Sequence, residues 1–360
     1  MRSFFFRGSL FFFVIAAGCG PMTVPVQSDS KPQRNRLPSA LLSFQTAIAV
    51  GEAGTILRTM DGGATWTMQD SGTSASLGGV AFADPNVGAV VGQTILQTTD
   101  GGATWRRHYN WITANGVSFV DANAGWAVDG GGGILHTTDG GVFWTRQFTA
   151  PVSLRAVSFV DRNTGWAAGV KFLPHQSGYI LKTTDGGATW TSQLMGSPSE
   201  CHFPQPCRYA RIYGVSFVDA NTGWVVGEWE NCPGSGCTIG NLLSRTDDGG
   251  VTWTGQATPS GYGFGLRALA YVDANTAWAV GGDGAILHTT DGGATTWTLQ
   301  SFETTTLLNS VSFVDANTGW AVGWAGTILG TTDGGSTWSP QSSGTGVNLN
   351  GVAFVGVSAQ

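Results

Sequence analysis

An eight-residue phrase, Thr-Thr-Asp-Gly-Gly-Ala-Thr-Trp at residues 183–190, recurs with small variations seven times along the 360-residue chain. Aligned on its aspartate, it gives Asp61, Asp100, Asp139, Asp185, Asp248, Asp291 and Asp333, at steps of 39, 39, 46, 63, 43 and 42 residues. A tryptophan closes each copy: Trp66, Trp105, Trp144, Trp190, Trp253, Trp297 and Trp338. A repeat of about forty residues confines the chain to solenoids or rings built from one small unit. Residues 311–341 show the unit's chemistry, because four short β-prone runs (VSFVD, WAVG, TILGTTD, TWSPQ) are separated by Asn- and Gly-rich breaks that suit tight hairpins. Four antiparallel strands repeated radially make a β-propeller, here of seven blades.

The two ends of the chain are incomplete in complementary ways. The first unit lacks a well-formed first strand, whereas Gly351-Val352-Ala353-Phe354-Val355 is a first strand with no blade after it. We therefore expect the C-terminal strand to complete the blade begun near Thr46 and to remove the ring's exposed edge. The alternative is that residues 41–45 fill that slot.

Seven equivalent aspartates around a rim cannot converge on one substrate. Their phrase fits the Asp-box pattern, in which the carboxylate accepts backbone N–H groups and glycine takes positive φ. The same structural reading covers Asp84, Asp121, Asp161, Asp219, Asp273 and Asp315 in the other hairpin turn. Two copies depart from the pattern: Phe143 replaces a threonine, and an extra threonine at 295–296 precedes Trp297.

The combination of a first strand like SFVDANTGWAVG with GTILGTTDGGSTW resembles the photosystem II stability and assembly factor family and its non-photosynthetic relatives, over about residues 41–357. The resemblance implies a non-enzymatic, commonly exported propeller that docks onto other proteins, without a cofactor or metal. Asp boxes also occur in sialidases and xyloglucan-cleaving glycosidases, so function has to be argued from the site.

The N-terminus, MRSFFFRGSLFFFVIAAGC, reads as an export signal, since its apolar run is too short to span a membrane. Ala16-Ala17-Gly18-Cys19 resembles a bacterial lipobox, which gives a signal over residues 1–18, lipidation at Cys19 and a Pro-rich tether over 19–40. The propeller then occupies 41–360. The expected location is the cell envelope, with membrane contact through the lipid anchor only. Seventeen Lys and Arg, spread without a basic stripe in a chain of net charge −6, argue against nucleic acid.

Subtracting the repeat leaves three insertions, residues 170–178, 194–212 and 228–241, in blades four and five and on the face opposite the Asp boxes. Cys201, Cys207, Cys232 and Cys237 all lie within them. In an exported chain these are expected to form disulfides, with Cys201–Cys207 and Cys232–Cys237 as first choice and cross-loop pairing next. Zinc binding with His202 or His175 is disfavoured because no CxxC spacing is present. Trp111, Trp229 and Trp324 are the tryptophans outside the repeat, each in or beside a loop expected on the same face, where they suit a protein partner or, second, a polysaccharide. Arg155 and Arg267 stand four residues before Phe159 and Tyr271 at the entry to innermost strands. With Arg211 they are expected to line the channel mouth on that face and hold an acidic partner. Of the spare carboxylates, Glu228, Glu230 and Asp283 approach this face, but nothing in their spacing pairs them as a glycosidase requires.

Overall fold

The computed structural model describes residues 46–109, 113–171, 177–193, 209–231, 238–259, 265–295, 297–300 and 304–356. The signal, the tether, residues 41–45, Cys19 and the other four cysteines, His175, His202 and Trp111 lie outside them. The described chain forms seven four-stranded antiparallel sheets. Six blades are built from consecutive strands. In blade one, Leu349–Phe354 pairs with Ala47–Gly51, followed by Ile56–Thr59 and Thr67–Met68. The C-terminal strand therefore closes the ring, as its sequence required.

There is no single central core, because each blade buries its apolar faces against its two neighbours. Seven hydrophobic clusters result, one at each seam. Second-strand tryptophans stack on the inner-strand phenylalanine of the next blade: Trp126 on Phe159 at 3.6 Å, Trp166 on Phe217 at 3.5 Å and Trp278 on Phe313 at 3.5 Å. Each of the three indoles also donates Nε1–H to a carbonyl of the neighbouring Asp box, Gly186, Gly249 or Gly334, at 3.1 Å. These three second-strand tryptophans are thus inter-blade rivets.

The Asp boxes act within their own turns. In the fourth, Asp185 accepts the amide and hydroxyl of Thr189 at 2.9 and 2.6 Å and the hydroxyl of Thr183 at 2.8 Å. Both glycines of every box take positive φ, which a Cβ would disfavour. At Asp139 the amide of Phe143 remains a donor, but the phenyl ring supplies no hydroxyl and is 66% exposed.

These donors hold the Asp185, Asp248 and Asp291 carboxyls down at about 2, the largest cause being the hydroxyls of Thr189, Thr252 and Thr295. The folded values lie below the unfolded reference of about 4, so their contribution to stability is complete above that pH and is lost as pH falls towards about 2. The melting temperature is expected to drop over this interval and to be flat just above it. A flat profile down to pH 2 contradicts the role given to these turns.

Candidate functional site

Each inner strand ends in Phe or Tyr, and the residue four positions before that aromatic meets the channel. Those residues are Asn350, Gly78, Asn115, Arg155, Tyr213, Arg267 and Asn309 in blades one to seven. In six blades the pairing register skips this residue: Leu154 faces Gly169 and Ala156 faces Ala168, leaving Arg155 unpaired in a bulge. The same skip occurs at Asn350, Gly78, Tyr213, Arg267 and Asn309. A bulge re-aims a side chain that regular pleating would hold against a neighbouring strand. Its tight return explains a repeated glycine at the end of the second strand, since a Cβ on Gly227 would collide with the carbonyl of Arg211.

The seven residues surround a cavity of about 440 Å3, joined on its wall by Leu307 and Trp324. Its halves differ in chemistry. On one side, Asn309, Asn350 and Asn115 donate Nδ2–H to the carbonyls of Leu349, Leu77 and Leu154 in the following blades, at 2.9, 2.9 and 2.7 Å. On the other, the Tyr213 ring carries the guanidinium of Arg267 at 4.1 Å and that of Arg155 at 5.2 Å. Neither arginine forms a salt bridge among the described residues. The Nε of Arg267 is buried without a hydrogen-bond partner. Trp324, 51% exposed, stands beside them on the turn between the second and third strands of blade seven.

Tyr213 is fixed from behind. Its hydroxyl donates to Glu228 at 2.7 Å, and the same carboxylate oxygen accepts Arg211 Nη1 at 2.6 Å. Burial pushes the Glu228 carboxyl up, but bonds from Tyr213 and Arg211 and the charges of Arg267 and Arg211 outweigh it and hold the group below the usual carboxylate range. A carboxylate held ionised in this way is a poor proton donor at neutral pH.

The structure corrects three expectations. Arg211 does not line the mouth; it pairs with Glu228 and lies 3.7 Å from Glu230. The insertion at 228–241 is not a plain loop, because its described ends continue the strands Gly223–Asn231 and Thr238–Thr246, with Trp229 opposite Gly240. Trp229 is consequently buried, at 9% exposure, and packs with Ile212, Leu242 and Trp166 rather than facing solvent. Residues 209–212 extend the inner strand of the same blade, Tyr209–Phe217, so three nine-residue strands rise on the mouth side of blade five. Arg155, Arg267 and Trp324 do converge there. Tyr213 was missed, although it stands four residues before Phe217, at the offset that singled out the two arginines. Among the described residues no group of three or more His, Cys, Asp or Glu side chains is placed to hold a metal.

Seven four-stranded blades with Asp-box turns and a mouth lined by non-repeating residues define the class: an Asp-box β-propeller. The model of the family described as photosynthesis system II assembly factor YCF48 matches residues 69–150 and 294–358 of this chain. The structure of YCF48 bound to D1 peptide aligns with a TM-score of 0.54 at 23% identity, covering 74% of this chain and 82% of that one. YCF48 from Cyanidioschyzon merolae aligns at 0.56 and 23%, over 76% and 87%. The WD40 propeller domain of Doa1 aligns at 0.51 and 12%, over 74% and 81%. At these identities the likenesses establish the fold. No curated protein matches the chain.

Proposed function

We propose that this chain is a non-enzymatic docking propeller of the bacterial cell envelope, anchored through Cys19, which binds an acidic segment of a protein partner at the mouth between blades four and seven. The observation that carries the reading is the convergence of Arg155, Tyr213, Arg267 and Trp324 on one cavity. Two arginines that form no salt bridge among the described residues and a half-exposed indole supply charge recognition and an apolar anchor, the residue types that dominate protein-binding hot spots. A structural relative, YCF48, binds a peptide of D1, which agrees with a peptide ligand on this fold. The ionised state of Glu228 and the absence of a facing acid–base pair in the described mouth favour binding over glycoside cleavage.

In-cell cross-linking followed by pull-down tests this. The intact lipidated chain is expected in the membrane fraction with its partner, and Cys19→Ser in the soluble one. Arg155→Gln combined with Trp324→Ala is expected to leave the melting temperature unchanged and to lower partner recovery about tenfold, the loss produced by roughly 1.4 kcal/mol. Undiminished recovery overturns the docking site, and release of reducing sugar from a polysaccharide overturns the non-enzymatic reading.

A further inference from the structure

The seam between blades five and six differs from its neighbours at two sequence positions, Tyr271 and Arg245. Tyr271 replaces phenylalanine in the inner strand, and its hydroxyl donates to the carbonyl of Phe217. Its ring stands 6.3 Å from Trp224, against 3.5–3.6 Å in the stacks at three other seams. Arg245 donates Nη1–H at 2.7 Å to the carbonyl of Gly292, the counterpart of the carbonyls that receive tryptophan Nε1–H at those seams. The Nε1–H of Trp224 is left without an acceptor, while the Arg245 guanidinium lies 5.1 Å over its ring. Trp338 and Trp66 donate to Gln300 and Gln341 at 3.1 and 2.9 Å, whereas Trp297 Nε1, like that of Trp105 and Trp253 in other boxes, is buried and unpaired, and here Gln256 Oε1 is unpaired as well. With Arg267 Nε, four unsatisfied polar atoms line this one seam, and a cavity of about 490 Å3 opens beside it on the Asp-box face. Buried groups without partners favour local opening, in which water satisfies them.

The mouth sits on top of this seam. Tyr213 belongs to blade five and Arg267 to blade six, in contact across the seam, with Arg155 of blade four on the other side of the phenol. We infer that the seam between blades five and six is an adjustable joint whose closure is linked to occupation of the mouth. The inference rests on the reading of the mouth as a site for an acidic segment. A carboxylate held by both Arg155 and Arg267 draws blade six towards blades four and five, so it binds the closed joint better than the open one. By linkage, its binding closes the joint.

Hydrogen–deuterium exchange on the full chain tests the joint without any ligand. Amides of Val225–Gly227 and Leu269–Ala270 are expected to exchange about tenfold faster than their counterparts at the seam between blades four and five, Ala167–Gly169 and Val215–Ser216, and Tyr271→Phe is expected to narrow the gap. Equal protection at the two seams overturns the joint. An acetylated tetraglutamate peptide then tests the linkage: it is expected to slow exchange at the seam about threefold or more in the wild type and not in Arg267→Gln. Protection confined to the mouth, or no change at any amide, overturns the linkage. Because the first comparison involves no ligand, failure of the joint is distinguishable from failure of the docking reading, which rests on partner recovery.

Discussion

A chain truncated before Leu349 is expected to lose its cooperative melting transition. The deleted strand is the innermost of blade one, and it buries Leu349, Val352 and Phe354 in the cluster shared by blades seven and one. At about 1.5–3 kcal/mol for each fully buried apolar side chain, these three alone are comparable with the 5–15 kcal/mol that separates folded from unfolded domains. The strand also joins its neighbours through polar contacts. Ser310 and Ser312 accept the amides of Val352 and Phe354, Asn309 donates to the carbonyl of Leu349, and Asn350 donates to that of Leu77. Removing it exposes the edge of Ala47–Gly51, a buried strand, to water and to other chains. Circular dichroism on heating reads the outcome, and a truncated chain that melts like the intact one contradicts closure by the C-terminal strand.

Trp229→Ala is expected to lower the unfolding free energy by about 3–5 kcal/mol, the usual cost of emptying a buried tryptophan site. The ring packs with Ile212, Leu242 and Trp166, and a Cβ added at Gly240 would strike it. Trp324→Ala is expected to change stability by no more than about 0.5 kcal/mol, as for an ordinary surface position. Urea unfolding of the two variants separates them. Equal, small effects would mean that Trp229 is a surface residue like Trp324.

The ring was legible in the sequence because its determinants are local and repeated. Asp-box glycines, Asx turns and the alternation within each short strand write one hairpin unit seven times, and closure follows from an orphan first strand at one end and a blade lacking one at the other. The fate of Trp229 was not, because whether an insertion loops away or prolongs a hairpin depends on long-range pairing, here of Gly223–Asn231 with both Tyr209–Phe217 and Thr238–Thr246. Arg211 was misplaced by the same cause, since strand extension puts it opposite Glu228. Tyr213 was within reach of sequence reasoning: the inner-strand formula that marked Arg155 and Arg267 also marks it, but an aromatic in a β-prone run reads as core until the bulge that turns it into the channel is seen. Tyr271 and Arg245 stand in the sequence as single departures from the repeat, and only coordinates show that both fall on the seam between blades five and six.

On this reading the repeated rim is scaffold and recognition occurs on the opposite face. A photo-cross-linking residue placed at Trp324 on the mouth face, or at Val251, 68% exposed in an Asp box on the other, tests it in cells. A partner adduct is predicted from position 324 and none from 251. Adducts from 251 alone would contradict the claim.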